Sequence, residues 1–344
     1  MDAEKSITAH FSLTMQPLVH YTFDTGDEGW GFAGAIAGYD TPFALCQNGV
    51  LGITAQGSTN AFSYWYSPDV TIEDGNIYRA RWTVGSTCAT ADTSVDFRLR
   101  INQKGSWQAW DRIVNSNLGQ APCSAENKVY DLFFDPDVAG IADASVVLNF
   151  DIMSFDVTND AYSWLFLDEL SVIETGIAST SDILEYTFDS GGEGWQYAGS
   201  IPPFDQPIIS VPAGKIGLSP NGSTNCFSYL YSPDATIQDG KIYGVMFEMS
   251  SSVTNADNAV QFRLRVNQKG SWQAWDRIVN SNMGQAPSNT GTKSYNVILD
   301  PDVTGSGDNL AVFSFDIMSF DAGDDPSSWL FLESVALDEI TLSP

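Results

Sequence analysis

The stretch FRLRINQKGSWQAWDRIVNSNLGQAP, Phe97–Pro122, is written again as FRLRVNQKGSWQAWDRIVNSNMGQAP, Phe262–Pro287, with two changes in 26 residues. Its local pattern decides the fold class. Phe97, Leu99 and Ile101 alternate with Arg98 and Arg100, the period of a strand that buries one face. NQKGS then supplies a turn, and WQAWDRIV resumes a strand. On that returning strand Gln108, Trp110 and Arg112 share one side, and Trp107, Ala109 and Ile113 share the other. A hairpin of this kind is expected to gather Arg98, Arg100, Trp110 and Arg112 into one aromatic and basic surface, with Arg263, Arg265, Trp275 and Arg277 as its copy. Trp107 reads as core.

The duplication extends far beyond this stretch. The two halves align without a gap at an offset of 165 from Tyr21 to Leu167: YTFDTGDEGW at Tyr21 matches YTFDSGGEGW at Tyr186, YSPD at Tyr66 matches Tyr231, and SWLFL at Ser163 matches Ser328. A four-residue insertion, ESVA, is expected before the second closing strand, so that LDELSVI from Leu167 answers LDEITL from Leu337. Alternating runs such as IYRARWTV (Ile77–Val84), KVYDLFF (Lys128–Phe134) and VVLNFDIM (Val146–Met153) are separated by turn clusters, and no segment keeps a 3.6-residue period. The fold class expected is all-β, two tandem β-sandwich (jelly-roll) domains, each with its own core. The boundaries are a leader at 1–19 with an extra strand, domain 1 at 20–174, a short polar linker at 175–182 and domain 2 at 183–344.

Charge excludes some functions. The chain of 344 residues carries a formal net charge of −28, with 32 Asp and 11 Glu against 15 Lys and Arg, so the basic surface a nucleic-acid binder needs is missing. Abundant Asp suits turns and calcium loops, and saline adaptation explains the same acidity equally well. No apolar run of about 18 residues exists, so membrane insertion is not expected. The only histidines, His10 and His20, precede the duplicated region, which leaves no histidine triad or zinc site, and no phosphate-cradling glycine loop appears. The expectation is a protein that is not an enzyme. The start of the chain lacks the pattern of a signal peptide.

With both ends of the repeat placed, FDTGDEGW and FDSGGEGW at the start and FLDELSVI and ALDEITL at the end, each unit resembles the galactose-binding-like jelly rolls of bacterial carbohydrate-binding modules. That resemblance implies a structural calcium between the opening acidic loop and the closing acid, here Asp24 with Asp168 and Asp189 with Asp338. It also implies an extracellular or cell-surface location. Cys88 and Cys123 are replaced together in the second half by Val253 and Ser288, which marks them as a candidate disulfide, two unrelated buried thiols being the other reading.

Each repeated window holds four basic residues and one acid, Asp111 or Asp276, so the two windows are basic islands holding 8 of the 15 basic residues. Three partners suit such an island. The arginines pair with acids of their own sheet, Asp151 or Asp156 and Asp316 or Asp321; or they line a polysaccharide site, neutral or anionic; or they meet another copy of the chain. The leader segment ITAHFSLTM, Ile7–Met15, alternates like a free strand, which raises the alternative of a structural subunit of an extracellular filament, sheath or surface layer that assembles by strand donation.

Overall fold

The protein was analysed as a computed structural model that describes residues 16–115, 119–280, 284–305, 307–321 and 323–343. The leader strand Ile7–Met15 lies outside these residues. The described chain is built from antiparallel strands, with only short 3-10 turns such as Ala91–Thr93 and Ala256–Asn258 between them. The alternation read from the sequence is realised along Ile77–Ser86, Asp96–Gln103 and Ser145–Ser154 and their counterparts, with inward residues buried and most outward ones partly exposed, the outward Asn149 and Asp151 being buried as well.

The strands form two sheets, one of 11 strands and one of 12, and both run without a break through the two units. In the larger sheet the joint is a pair of central strands, Ala109–Val114 and Ala274–Val279, with Asp111 opposite Asp276. In the smaller sheet it is the pairing of Trp164–Tyr186 with Leu330–Ser343, where Ile177 lies opposite Leu342. Each of these facing residues is its partner's repeat counterpart, 165 positions away. An approximate two-fold axis therefore passes through both joints, perpendicular to the sheets, because that is the symmetry relating two antiparallel strands.

Three expectations change. First, nearly all the buried apolar residues of both units form one contiguous cluster rather than two cores, with Phe133, Ile298 and Ile340 in a small separate one, since the sheets are fused edge to edge. Second, Thr175–Asp182 is strand, inside the 23-residue element Trp164–Tyr186. Its small polar residues reflect exposure at the joint, where residues 178–182 are solvent-facing, and not a slack tether. Third, ESVA is no insertion. Leu167 pairs with Val84 and Leu332 with Met249; beyond a bulge, Leu170 pairs with Trp82 and Val335 with Phe247. The offset of 165 thus holds to the end of the fold, making Glu333 the counterpart of Asp168 and Ile173 that of Asp338.

Candidate functional site

The hairpin built by Asp96–Gln103 and Ala109–Val114 pairs Ile101 with Trp110, Arg100 with Asp111 and Leu99 with Arg112. Directly opposed residues share a face, so Trp110 and Arg112 lie on the side of Leu99 and Ile101 and not on the side of Arg98 and Arg100. The expected single surface is therefore split in two. The register set by the turn between Gln103 and Gln108 decides this, and a one-residue slip in such a register flips every side chain.

The inward half is an interface between the two units. Trp110 and Trp275 are 2% and 1% exposed, and Arg112 and Arg277 are each 1% exposed. The Arg112 guanidinium donates to Asp300 at 2.7 Å and Asp302 at 3.2 Å in the second unit and lies 5.1 Å from the centre of the Trp275 ring. Arg277 reciprocates, donating to Asp135 at 2.7 Å and Asp137 at 3.1 Å and lying 5.2 Å from the Trp110 ring. Gln120 donates to Thr304 across the joint, and Gln285 to Asp143. Each repeated window contacts the other window and the loop after the other unit's next strand, Lys128–Phe134 or Lys293–Leu299, as in a self-complementary dimer interface. This explains why the stretch is written twice with so little change: a substitution in one copy must fit the other. Trp110, Arg112, Trp275 and Arg277 are thus placed in a buried joint, out of reach of a ligand.

The outward half carries the remaining arginines, already paired. Arg98 and Arg100 donate to the buried Asp151, at 2.8 and 3.3 Å, and Arg263 and Arg265 to the buried Asp316, at 2.7 and 3.1 Å. Asp156 and Asp321 instead cap their own loops, at Thr158 and Gly323. On the axis, Asp111 and Asp276 face each other, each with Oδ1 lacking a hydrogen-bond partner among the described residues. Burial pushes the Asp276 carboxyl up to about 6, against the pull of Arg263 and Arg265 and with the help of its neighbour Asp111. Burial raises Asp111 likewise.

Beside the arginines, on the same face, lies a groove of about 660 Å³ lined by Gln196, Tyr229, Tyr231, Arg265, Asn267 and Trp272, among others. It crosses four strands, from Gln196–Tyr197 through Cys226–Tyr231 and Leu310–Ser319 to Gln261–Gln268. Arg265 lies over the Tyr229 ring at 5.2 Å, Tyr231 donates its hydroxyl to Gln196 at 2.7 Å, and Lys269 is paired with Asp234 at 2.9 Å. Trp272 is 67% exposed and sits at φ +52°, a left-handed conformation that costs a bulky residue energy. Its turn is held there by buried partners: Ser271 N–H donates to Asp308 at 2.9 Å, Gln268 donates to the Asp308 carbonyl at 2.8 Å, and Gly270 lies so close to the Asp308 backbone that no Cβ fits.

The first unit repeats these parts with Tyr64, Tyr66, Arg100, Asn102, Lys104 and Trp107. Trp107 is 68% exposed at φ +53°, and Arg100 lies 4.9 Å from the Tyr64 ring. One wall differs. Gly31 stands where the second unit has Gln196, and the Tyr66 ring lies directly on it, leaving no space for a Cβ. The expectation that Trp107 is core is overturned, and sequence reading missed the tyrosines. Available signals were the alternation of Phe62, Tyr64 and Tyr66 and the tryptophan placed just after a Gly-Ser turn.

Cys88 and Cys123 are both free thiols; Ser124 N–H bonds the Cys88 carbonyl at 2.7 Å, but the Cys88 thiol contacts Thr93 Oγ1 at 3.0 Å. Asp24 and Asp168 lie toward the same end of the first unit, given Tyr21 opposite Leu170, and Asp168 accepts from Asn127 at 3.1 Å. In the second unit Asp338 lies opposite Asp182, seven residues before Asp189, so these two acids do not meet as a ligand pair. Among the described residues no three His, Cys, Asp or Glu side chains converge as a metal site. Among the described residues no helix is long and apolar enough to cross a membrane.

No family model and no curated protein matches the sequence. Among solved structures, the chain is similar to the CBM22-1–CBM22-2 tandem domain of Paenibacillus barcinonensis Xyn10C, at 11% identity and a TM-score of 0.31 over 96% of this chain and 100% of that one. It is also similar to the xylan-binding module CBM15, at 11% identity and a TM-score of 0.32 over 46% of this chain and 97% of that one. A third is the N-terminal cellulose-binding domain of Cellulomonas fimi β-1,4-glucanase C, at 18% identity and a TM-score of 0.28 over 49% and 95%. With scores this low, any functional reading rests on the grooves themselves.

Proposed function

We propose that the protein is a non-catalytic polysaccharide-binding module acting outside the cell, and that its ligand is a neutral glycan held in the grooves at Trp272 and Trp107. The observation that carries this reading is the exposed tryptophan on a turn fixed from beneath, at the rim of a groove floored by tyrosines. An indole face stacks on the C–H face of a sugar, and the amides of Asn267 and Gln196 are suited to its hydroxyls. Neutrality follows from the pairing of charges. Arg265 is paired with Asp316 and Lys269 with Asp234, so among the described residues lining the groove both cations already hold a carboxylate. A net charge of −28 also repels a polyanion, and it opposes close packing of a second copy.

The test is affinity measured against a panel of neutral and anionic glycans, with Trp272→Ala and Tyr229→Ala variants. A neutral glycan is expected to bind, and Trp272→Ala to weaken its hold on the second groove by about tenfold or more, the loss typical of a central aromatic anchor. Failure of every glycan to bind, or binding unmoved by both variants, would reject the proposal. Reversible self-association at high concentration, with no glycan bound, would favour the assembling subunit instead.

A further inference from the structure

We infer that the two grooves hold two separate polysaccharide chains, running in opposite senses, so that one protein molecule bridges chains instead of lying along one. This rests on the glycan-binding reading and adds to it the number and direction of the ligands. The argument comes from the ladder register. The second unit's groove opens on one face of the 12-stranded sheet and crosses the strands toward the axis at Asp111 and Asp276, and the repeat places the counterpart residues Tyr64, Arg100, Asn102 and Trp107 on the same face across that axis, where we infer the first groove. A two-fold axis normal to a surface reverses any direction drawn in that surface. A glycan chain has a reducing and a non-reducing end, so a straight chain that met the second groove in the productive sense would meet the first in the reverse sense.

The grooves are also out of line. Asn267, in the second groove, is opposite Ala274, which is opposite Ile113, which is opposite Arg98. Its counterpart Asn102 is four residues farther along the same strand as Arg98. At about 3.3 Å per residue the two grooves are displaced by roughly 13 Å along the strands. Sideways, the strands bearing Arg100 and Arg265 are three ladder steps apart and those bearing Tyr64 and Tyr229 are seven, about 14 and 34 Å at ~4.8 Å per step. Sheet twist of roughly 20–25° per strand turns the two paths further from each other. On that face of the two central strands, Ala109, Asp111 and their copies are buried and only Ile113 and Ile278 are partly exposed, so among the described residues these strands present no aromatic ring to carry a chain across.

The experiment uses the full chain with the straight neutral β-1,4-linked glucan, xylan and mannan, as hexasaccharides and as soluble polymers. Titration calorimetry and native mass spectrometry are expected to count two hexasaccharides per protein. Trp107→Ala and Trp272→Ala are each expected to remove one and leave the other. With the polymer, light scattering should rise to a maximum at an intermediate ratio of protein to polymer and fall in excess protein, as bridging requires, and either single variant should abolish the rise while still binding. A count of one hexasaccharide, lost to both variants alike, or two sites with no bridging, would overturn the inference and leave the proposed function standing. If none of these glycans binds the unaltered protein, the function itself falls and the inference with it.

Discussion

The first and second units agree where they touch each other and differ where they face solvent. At the joint the arginine pairs correspond, Arg112 with Asp300 and Asp302 answered by Arg277 with Asp135 and Asp137, and the departures are few: Asn296 donates to Asp135 at 3.2 Å where the first unit has Asp131, and Gln120 bonds Thr304 where the first unit has Ala139. At the grooves the turn, the tryptophan and the arginine are repeated, but the wall is Gly31 beneath Tyr66 in one unit and Gln196 bonded to Tyr231 in the other. The difference shows what holds a duplicated sequence together. A window that packs against its own copy is constrained twice over, whereas a groove wall that faces solvent is free of that second constraint.

The comparison is broken most forcefully at the joint. Replacing Arg112 by Ala leaves Asp300 and the stacked Trp275 without their partner in a buried setting, and a loss of about 3–5 kcal/mol is expected in denaturant unfolding. Arg277→Ala should cost about the same because its contacts are the mirror set. Clearly unequal losses would show that the joint is not symmetric in energy.

On the axis the expected effect is smaller and depends on pH. The Asp276 carboxyl is held at about 6 in the folded protein, above its ordinary value of about 3.9, so the folded state binds the proton more tightly than the unfolded one. Its stabilising influence is therefore fully present below about pH 4 and is lost as pH rises through about 6. Asp276→Asn cannot ionise, so its stability relative to the unaltered protein should climb across this window and level off above it, by up to about 3 kcal/mol. A difference that stays flat from pH 4 to 7 would mean that Asp276 carries no raised pKa.

The smallest effect sharpens the comparison at the grooves. Gly31→Gln gives the first unit the wall of the second and moves the Tyr66 ring off its seat. The two glycan dissociation constants are expected to converge, by about threefold, under 1 kcal/mol. Unchanged constants would assign their difference to Asn149 against Ser314, the other differing pair among the residues lining the second groove and their counterparts.

Much of this was legible in the sequence, for identifiable reasons. Alternation in Asp96–Gln103 fixed the strand and its apolar face, and the repeat fixed the equivalence of the units. The pairing of Arg98 and Arg263 with Asp151 and Asp316 was among the readings weighed. What failed depended on register. Trp110 and Trp107 exchanged roles because the geometry of one turn, and nothing in the alternation itself, sets which face a returning strand presents. The joint escaped because composition does not distinguish a polar exposed strand such as Thr175–Asp182 from a linker. The near-identity of the two windows was the available clue to it, once self-contact is recognised as a reason for keeping both copies alike.

The central claim is that the two units form one fused sandwich through that joint, and differential scanning calorimetry of the full chain tests it most directly. A single cooperative transition is predicted, with calorimetric and van't Hoff enthalpies in agreement. Arg112→Ala or Arg277→Ala should lower that one transition as a whole or split it. Two independent transitions in the unaltered protein, neither moved by a substitution in the opposite unit, would contradict the account.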